Sequence, residues 1–288
     1  MIKDNLELLG YACDIAANMA GSAKGPAILQ SSEYLKPLGL KWAKTLETKS
    51  KKHQLDALDD IHTLCKKLAL QTMHKAREQH PFLTIGGDHS AAIGTWNGAA
   101  AGLKDPLGLI WIDAHMDSHT PKTSVSKNIH GMPLAALLGY GDEKLTHIGN
   151  EEPAIQPDNL ALIGIRSFED SEANLLKMLK VKVYYMEEIQ KRGLHQVMQE
   201  AIAHVTHHAK HFGVSIDVDA INPEEAPAVS TPEKNGLIAA DLIESLSLVA
   251  KNSHFIGAEI AEFNPEHDQQ QKTEKLIKQL IETLFYHS

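Results

Sequence analysis

Six side chains with metal-binding chemistry stand at three places where an apolar run ends. Asp113, His115 and Asp117 follow residues 107–112, His89 follows residues 82–85, and Asp217 and Asp219 follow residues 212–216. Four carboxylates gathered without a cation would repel one another, raise their pKa values and destabilise the fold. Two divalent cations would set four positive charges against those four negative ones, so the residues predict a binuclear metal centre. Oxygen-rich ligation with some imidazole and no thiolate suits Mn2+, whereas structural zinc prefers sulfur or nitrogen in a closed tetrahedron. Two cations about 3.5–4 Å apart lower the pKa of a water between them, so hydrolysis is the expected chemistry. Each cluster alone has a plainer explanation, because Asp-x-Asp after a strand commonly serves a turn or a helix cap. Three such clusters at strand ends are what favour the metal. Asp88, just before His89, is expected in the turn or behind the ligands.

The elements that must position these residues follow from periodicity. Residues 107–112, Leu-Gly-Leu-Ile-Trp-Ile, are apolar without alternation and read as a central strand covered on both faces of a parallel sheet. Open α/β sheets place their chemistry at the carboxyl ends of such strands. Further strands are expected at residues 6–12, 42–46, 82–85, 160–165, 181–185, 212–216 and 255–260. A helix at 26–35 begins on Pro26, and one at 54–79 carries Leu55, Leu58, Ile61, Leu64, Cys65, Leu68 and Met73 at helical spacing. The helix expected at 90–103 is rich in Ala and Gly, which permit close packing. Others are expected at 170–179, 187–209, 240–250 and 268–284. Strands alternating with helices predict an α/β fold, a mainly parallel sheet with helices on both faces, and residues 1–288 are expected to form one domain. Two long loops, 118–130 and 222–236, leave strand ends, and the first starts at the metal cluster.

Composition excludes other classes. A net charge of -9, with no basic block beyond Lys49-Ser50-Lys51-Lys52, argues against nucleic acid or an anionic membrane as partner. No run of about 18 apolar residues spans a bilayer, and the first residues lack a charged-then-apolar leader, so a cytoplasmic location is expected. Cys13 and Cys65 are too few for a disulfide framework. His204, His207 and His208 are spaced to share one helical face, which reads as a polar surface because no carboxylate joins them.

Gly86-Gly87-Asp88-His89-Ser90, Asp113-Ala114-His115-Met116-Asp117 and Ser215-Ile216-Asp217-Val218-Asp219 resemble the three signatures of the ureohydrolases, the arginase and agmatinase family. The resemblance runs from the stretch beginning at Gly21 to Glu262-Phe263-Asn264-Pro265. It implies a three-layer α/β/α sandwich and two Mn2+ ions, with Co2+ or Fe2+ as alternatives. By position, one metal would be held by His89, Asp113, Asp117 and Asp217, and the other by Asp113, His115, Asp217 and Asp219, with Asp113 and Asp217 bridging. The implied reaction is attack of a metal-bridging hydroxide, oriented by Asp117, on a guanidinium carbon, so that urea and an amine leave. His130 matches the loop histidine that passes a proton to the leaving amine, and Glu262 the carboxylate that pairs with the guanidinium. Taken without the resemblance, His130 reads as a solvated loop imidazole and Glu262 as an exposed acid.

The same resemblance bears on the substrate. Residues 117–130 align with arginases without a gap, and Ser126 matches their serine contact to the α-carboxylate. His119 stands where animal-type arginases usually have Asn, and Lys127 replaces the following Gly. Glu169, where Asp is usual, and Glu172 one turn on are implied for the α-amino group. L-arginine, cleaved to L-ornithine and urea, is the implied substrate. Agmatinase, guanidinobutyrase and formimidoylglutamase activities are the alternatives, because their substrates alter the groups that these positions would contact. A non-catalytic metal-binding protein is a further class, disfavoured because every implied ligand is present. The resemblance also implies a homo-oligomer, a trimer or hexamer.

Overall fold

The computed structural model describes residues 6–149 and 151–286. Among them nine strands form one sheet: β1 Glu7–Ala12, β2 Lys41–Trp42, β3 Leu46–Glu47, β4 Phe82–Gly86, β5 Leu107–Ile112, β6 Leu160–Ile165, β7 Lys182–Tyr185, β8 His211–Asp217 and β9 Phe255–Ala261. Their order is β2-β1-β4-β9-β8-β5-β6-β7, β3 also pairs with β1, and the strand pairs are parallel. Four central neighbours therefore end side by side. Beyond β4 stands His89, beyond β9 Glu262, beyond β5 Asp113, and at the end of β8 Asp217.

The helices are α1 Gly25–Ser31, α2 Leu58–Arg77, α3 Ala91–Gly102, α4 Pro133–Leu137, α5 Glu143–Thr146, α6 Asp170–Met178, α7 Met186–Arg192, α8 Leu194–Val205, α9 Ala239–Ala250 and α10 Lys272–Phe285. Alternation along the strands sorts them into two layers. Ile110 and Ile112 of β5 join the core that holds α1 and α7 to α10, while Leu107, Leu109 and Trp111 pack with α3, α4 and α6. Both faces of β5 are thus covered, which is why its sequence shows no polar alternation. The result is the three-layer α/β/α sandwich. Close packing in the second layer depends on α3 being small: a Cβ at Gly98 would lie 2.1 Å from Thr72 Oγ1 of α2. Among the described residues no helix is long and apolar enough to cross a membrane.

Five expectations about local structure need correction. Residues 42–46 are not one strand. β2 and β3 are separate two-residue pieces beside β1, and between them the Thr45 side chain lies over Gly10, where a Cβ would meet its Oγ1 at 2.5 Å. Residues 187–209 are not one helix, because Gly193 adopts φ 85 and ψ 142 and separates α7 from α8. The apolar period continues across the break and conceals it. Since α8 ends at Val205, His207 and His208 lie beyond the helix, with ring centroids 4.3 Å apart, and the three histidines share no helical face. Finally, α1 stops at Ser31, where Ser32 Oγ accepts the next amides, and α10 starts only at Lys272, with Asp268 accepting from the amides of Thr273 and Glu274.

Candidate metal centre and substrate pocket

His89 follows β4 at the centre of the sheet and is fully buried. Its Nδ1 lies 3.1 Å from Asp117 Oδ2, 3.1 Å from Asp217 Oδ2 and 3.3 Å from Asp113 Oδ2, yet makes no well-directed hydrogen bond with any of them. That spacing fits a cation among the four atoms, since ligands about 2.1 Å from one ion and at right angles stand about 3.0 Å apart. His115 Nδ1 lies 3.1 Å from Asp219 Oδ2 and 3.6 Å from Asp113 Oδ1. Asp113 therefore turns one oxygen to each imidazole. The triads His89, Asp113, Asp117 and Asp113, His115, Asp219 each converge tightly enough to hold an ion. Asp88 is not among them: its oxygens accept from the amides of Ala16 and Ser90, as a turn residue does.

The acids are fixed from behind. Trp111 Nε1 donates to Asp113 Oδ2 at 2.9 Å while its ring stacks on His89 at 4.2 Å. The Asp219 amide donates to Asp217 Oδ1, and Thr231 Oγ1 donates to Asp219 Oδ2. Burial, reinforced by Asp113, pushes the Asp117 carboxyl up to about 6. Burial with Asp219 and Asp113 raises Asp217 well above the usual range. Burial acts on Asp113 in the same direction, but the neighbouring His115 and His89 imidazoles outweigh it and hold that carboxyl low. Both imidazoles are raised by the acids around them despite burial. The cluster is short of positive charge, which metal ions would supply.

Two site residues have left-handed backbone without being glycine. Asp117 has φ 46 and Glu262 φ 66, and such conformations each cost of order 1–3 kcal/mol and gather at functional sites. No residue type announces them in the sequence. Glu262 is buried, and its Oε1 accepts the His89 amide at 2.8 Å and lies 3.0 Å from His130 Nδ1. The His130 side chain is 16% exposed. Neither residue is the solvated surface group that its local sequence suggests.

Above the centre lies a cavity of about 470 Å³ whose lining includes His115, Asp117, His119, Ser126, His130, Glu169 and Glu172. His119 Nε2 is bonded to the Glu169 carboxylate and lies 3.4 Å from Glu172 Oε2. Glu172 also forms the capping box of α6: its Oε2 accepts the Glu169 amide and its Oε1 the Ser118 amide. Burial pushes its carboxyl up to about 8. These three residues come within reach of a single ion as well, but backbone amides already occupy both Glu172 oxygens. Ser126 is exposed at the rim, its carbonyl accepting Gln54 Nε2 at 2.6 Å. Lys127 points elsewhere, its Nζ donating to the Pro121 carbonyl. A larger hollow of about 640 Å³, lined by Phe168, Tyr185 and Met186, contains no converging acids and histidines.

Sequence reasoning overlooked three residues. Arg166 donates to the carbonyls of Gly164, Asp219, Ala220, Glu233 and Lys234, so it ties the end of β6 to the loop after Asp219. Ser215 and Glu259 lie beneath His89. The available signal for Glu259 was a carboxylate inside an otherwise apolar strand.

A parallel sheet with acid and imidazole clusters at its central carboxyl ends, opening into a charged pocket, has the architecture of an α/β/α hydrolase. The chain matches the model of the Arginase family over residues 4–286. It is 35% identical to the arginase of Brevibacillus brevis over 297 residues, covering 99% of this chain and 98% of that protein. Its fold is similar to the crystal structure of arginase from Bacillus subtilis, with a TM-score of 0.91, 31% identity and 99% of each chain covered. It is also similar to Entamoeba histolytica arginase in complex with L-ornithine, with a TM-score of 0.88, 27% identity and 97% of each chain covered. The chain belongs to the arginase family.

Proposed function

We propose that this chain is an arginase, hydrolysing L-arginine to L-ornithine and urea at a centre that takes two divalent cations, preferentially Mn2+. The observation that carries this reading is the convergence of His89 Nδ1 with oxygens of Asp113, Asp117 and Asp217 on the floor of a pocket with a charged rim. His89, Asp113, Asp117 and Asp217 would hold one ion, and Asp113, His115, Asp217 and Asp219 the other. The two oxygens that Asp113 turns to different imidazoles support a bridging role for it. Mn2+ suits the oxygen-rich donors, with Co2+ or Fe2+ as alternatives.

When bound, the cations supply a nucleophile from water at neutral pH. The chain's own residues do the rest. Asp117, held by its left-handed backbone, accepts a hydrogen bond from the attacking water and so orients it. Glu262 accepts hydrogen bonds from the planar guanidinium. His130, beside Glu262, gives a proton to the amine nitrogen as the carbon–nitrogen bond breaks. At the rim, Ser126 and His119 receive the α-carboxylate, and Glu169, supported by Glu172, receives the α-ammonium. The ammonium takes the place that His119 holds beside Glu169, which frees the imidazole for the carboxylate. Residues 1–288 act as one domain, in a homo-oligomer of three or six copies. The buried free Cys13 and Cys65 support a reducing, cytoplasmic setting.

The test is urea release by Mn2+-loaded protein from arginine, agmatine, guanidinobutyrate and formiminoglutamate, with ornithine and formamide measured alongside. Arginine is expected to be preferred. Preference for another compound overturns the rim assignment, and no turnover of any overturns the enzyme.

A further inference from the structure

Under the metal centre runs a row of side chains that the reaction as proposed does not use. Thr84 of β4, Glu259 of β9, Ser215 of β8 and Trp111 of β5 are register partners on successive strands. Their side chains therefore leave the sheet on one face, the face covered by α3. Glu259 has no exposed surface, and a carboxylate in such a place calls for a polar reason. Its Oε2 accepts the Ser215 hydroxyl at 3.3 Å, while Oε1, near the Trp96 indole, makes no well-directed hydrogen bond. Ser215 Oγ in turn lies 3.0 Å from His89 Nε2.

A hydroxyl has one proton. Given to Glu259, it leaves Ser215 only lone pairs to offer His89, so Nε2 must carry the hydrogen. A neutral imidazole protonated at Nε2 has its lone pair on Nδ1. That is the nitrogen facing Asp113, Asp117 and Asp217. The reverse direction, with Ser215 donating to Nε2, would place the ring hydrogen on Nδ1, against a cation. Trp111, stacked on the ring, holds its plane.

We propose that Glu259, acting through Ser215, is a positioning residue that holds His89 in the tautomer able to accept a cation at Nδ1, and so sets the affinity of one of the two metal positions. The proposal rests on the binuclear reading above. It separates Glu259 from a residue that merely packs, because only the ion beside His89 depends on the relay. Partners behind a metal-bound histidine are typically worth about ten- to a hundredfold in metal affinity.

The experiment is stepwise Mn2+ titration of chelator-stripped protein, followed by the electron paramagnetic resonance signal of free Mn2+, with the metal-free melting temperature recorded for each variant. Wild type is expected to bind two ions. Glu259→Leu and Ser215→Ala should weaken one step by about ten- to a hundredfold and leave the other unchanged. Glu259→Gln, which keeps an acceptor oxygen, should lose less. Unchanged affinities in all variants would overturn the relay, as would a parallel loss at both steps together with a lowered metal-free melting temperature. Should Glu259→Leu fail to fold, Ser215→Ala and Glu259→Gln decide. A wild-type protein that binds fewer than two ions removes the binuclear reading and the relay with it, whereas two ions with insensitive variants removes the relay alone.

Discussion

His130 Nδ1 and Glu262 Oε1 stand 3.0 Å apart, and the same carboxylate oxygen accepts the backbone N–H of His89 at 2.8 Å. The acid assigned to the guanidinium thus also touches the assigned proton donor and the main chain of an assigned metal ligand.

Separate substitutions should split these roles. His130→Asn is expected to lower kcat by about 10²- to 10⁴-fold, the usual worth of a general acid, with a smaller change in KM. Glu262→Gln weakens a charge-assisted bond worth about 1.5–3 kcal/mol, so kcat/KM should fall by roughly ten- to a hundredfold. Steady-state urea assays check both, and a His130→Asn enzyme with unaltered kcat would exclude the proton transfer.

The pair also makes metal-free stability depend on pH. Burial disfavours a charged His130, but Glu262, with Asp117 and Asp88, outweighs it and lifts the imidazole from 6.5 to about 9. A group raised on folding stabilises fully below its unfolded pKa, here about 6.5, and that contribution disappears as pH rises through about 9. The difference in melting temperature between metal-free wild type and His130→Asn should be widest near pH 6 and close above pH of about 9. A constant difference would mean that the contact is not ionic.

Metal should stabilise the fold through mass action. At a hundred times its Kd, Mn2+ adds about 2.7 kcal/mol, and at about 2–4 °C per kcal/mol the melting temperature should rise roughly 5–10 °C. Differential scanning calorimetry with EDTA and then with excess Mn2+ tests this. A melting temperature indifferent to both would contradict a cation among His89, Asp113, Asp117 and Asp217.

Discrimination at the rim can be read with truncated substrates. Glu169→Gln should raise KM for arginine by about ten- to a hundredfold and affect guanidinobutyrate, which lacks the amino group, far less. His119→Ala should penalise arginine more than agmatine, which lacks the carboxylate. Equal penalties across the three compounds would show that these side chains do not read the α-substituents.

Gly193, between α7 and α8, offers a purely structural test. At φ 85 and ψ 142 any side chain is strained, so Gly193→Ala should lower the free energy of unfolding by about 1–3 kcal/mol. Denaturant titration measures that loss, and kcat should remain at the wild-type value because Gly193 does not line the metal pocket.

Much of this arrangement is written locally. Unalternating runs such as Leu107–Ile112 report burial on both faces, and a carboxylate or imidazole just past each run marks the functional edge. Spacing alone thus named His89, Asp113, His115, Asp117, Asp217 and Asp219 as candidate ligands. The resemblance was needed for His130, Glu262 and the rim residues, because a histidine in a loop carries no local signal and a single acid after a strand marks the edge without giving its role. Tertiary structure decided the rest. β4 and β5 are consecutive in sequence, but β9 and β8 lie between them in the sheet, so Glu262 reaches the amide of His89 from 173 residues away. The same order builds the Thr84–Glu259–Ser215–Trp111 row and turns Ser215 toward His89. Periodicity records which faces of an element are buried, whereas the choice of neighbouring strand depends on packing both layers at once. Left-handed backbone at Asp117 and Glu262 is likewise sustained by the surrounding fold, since neither residue type favours it as glycine would.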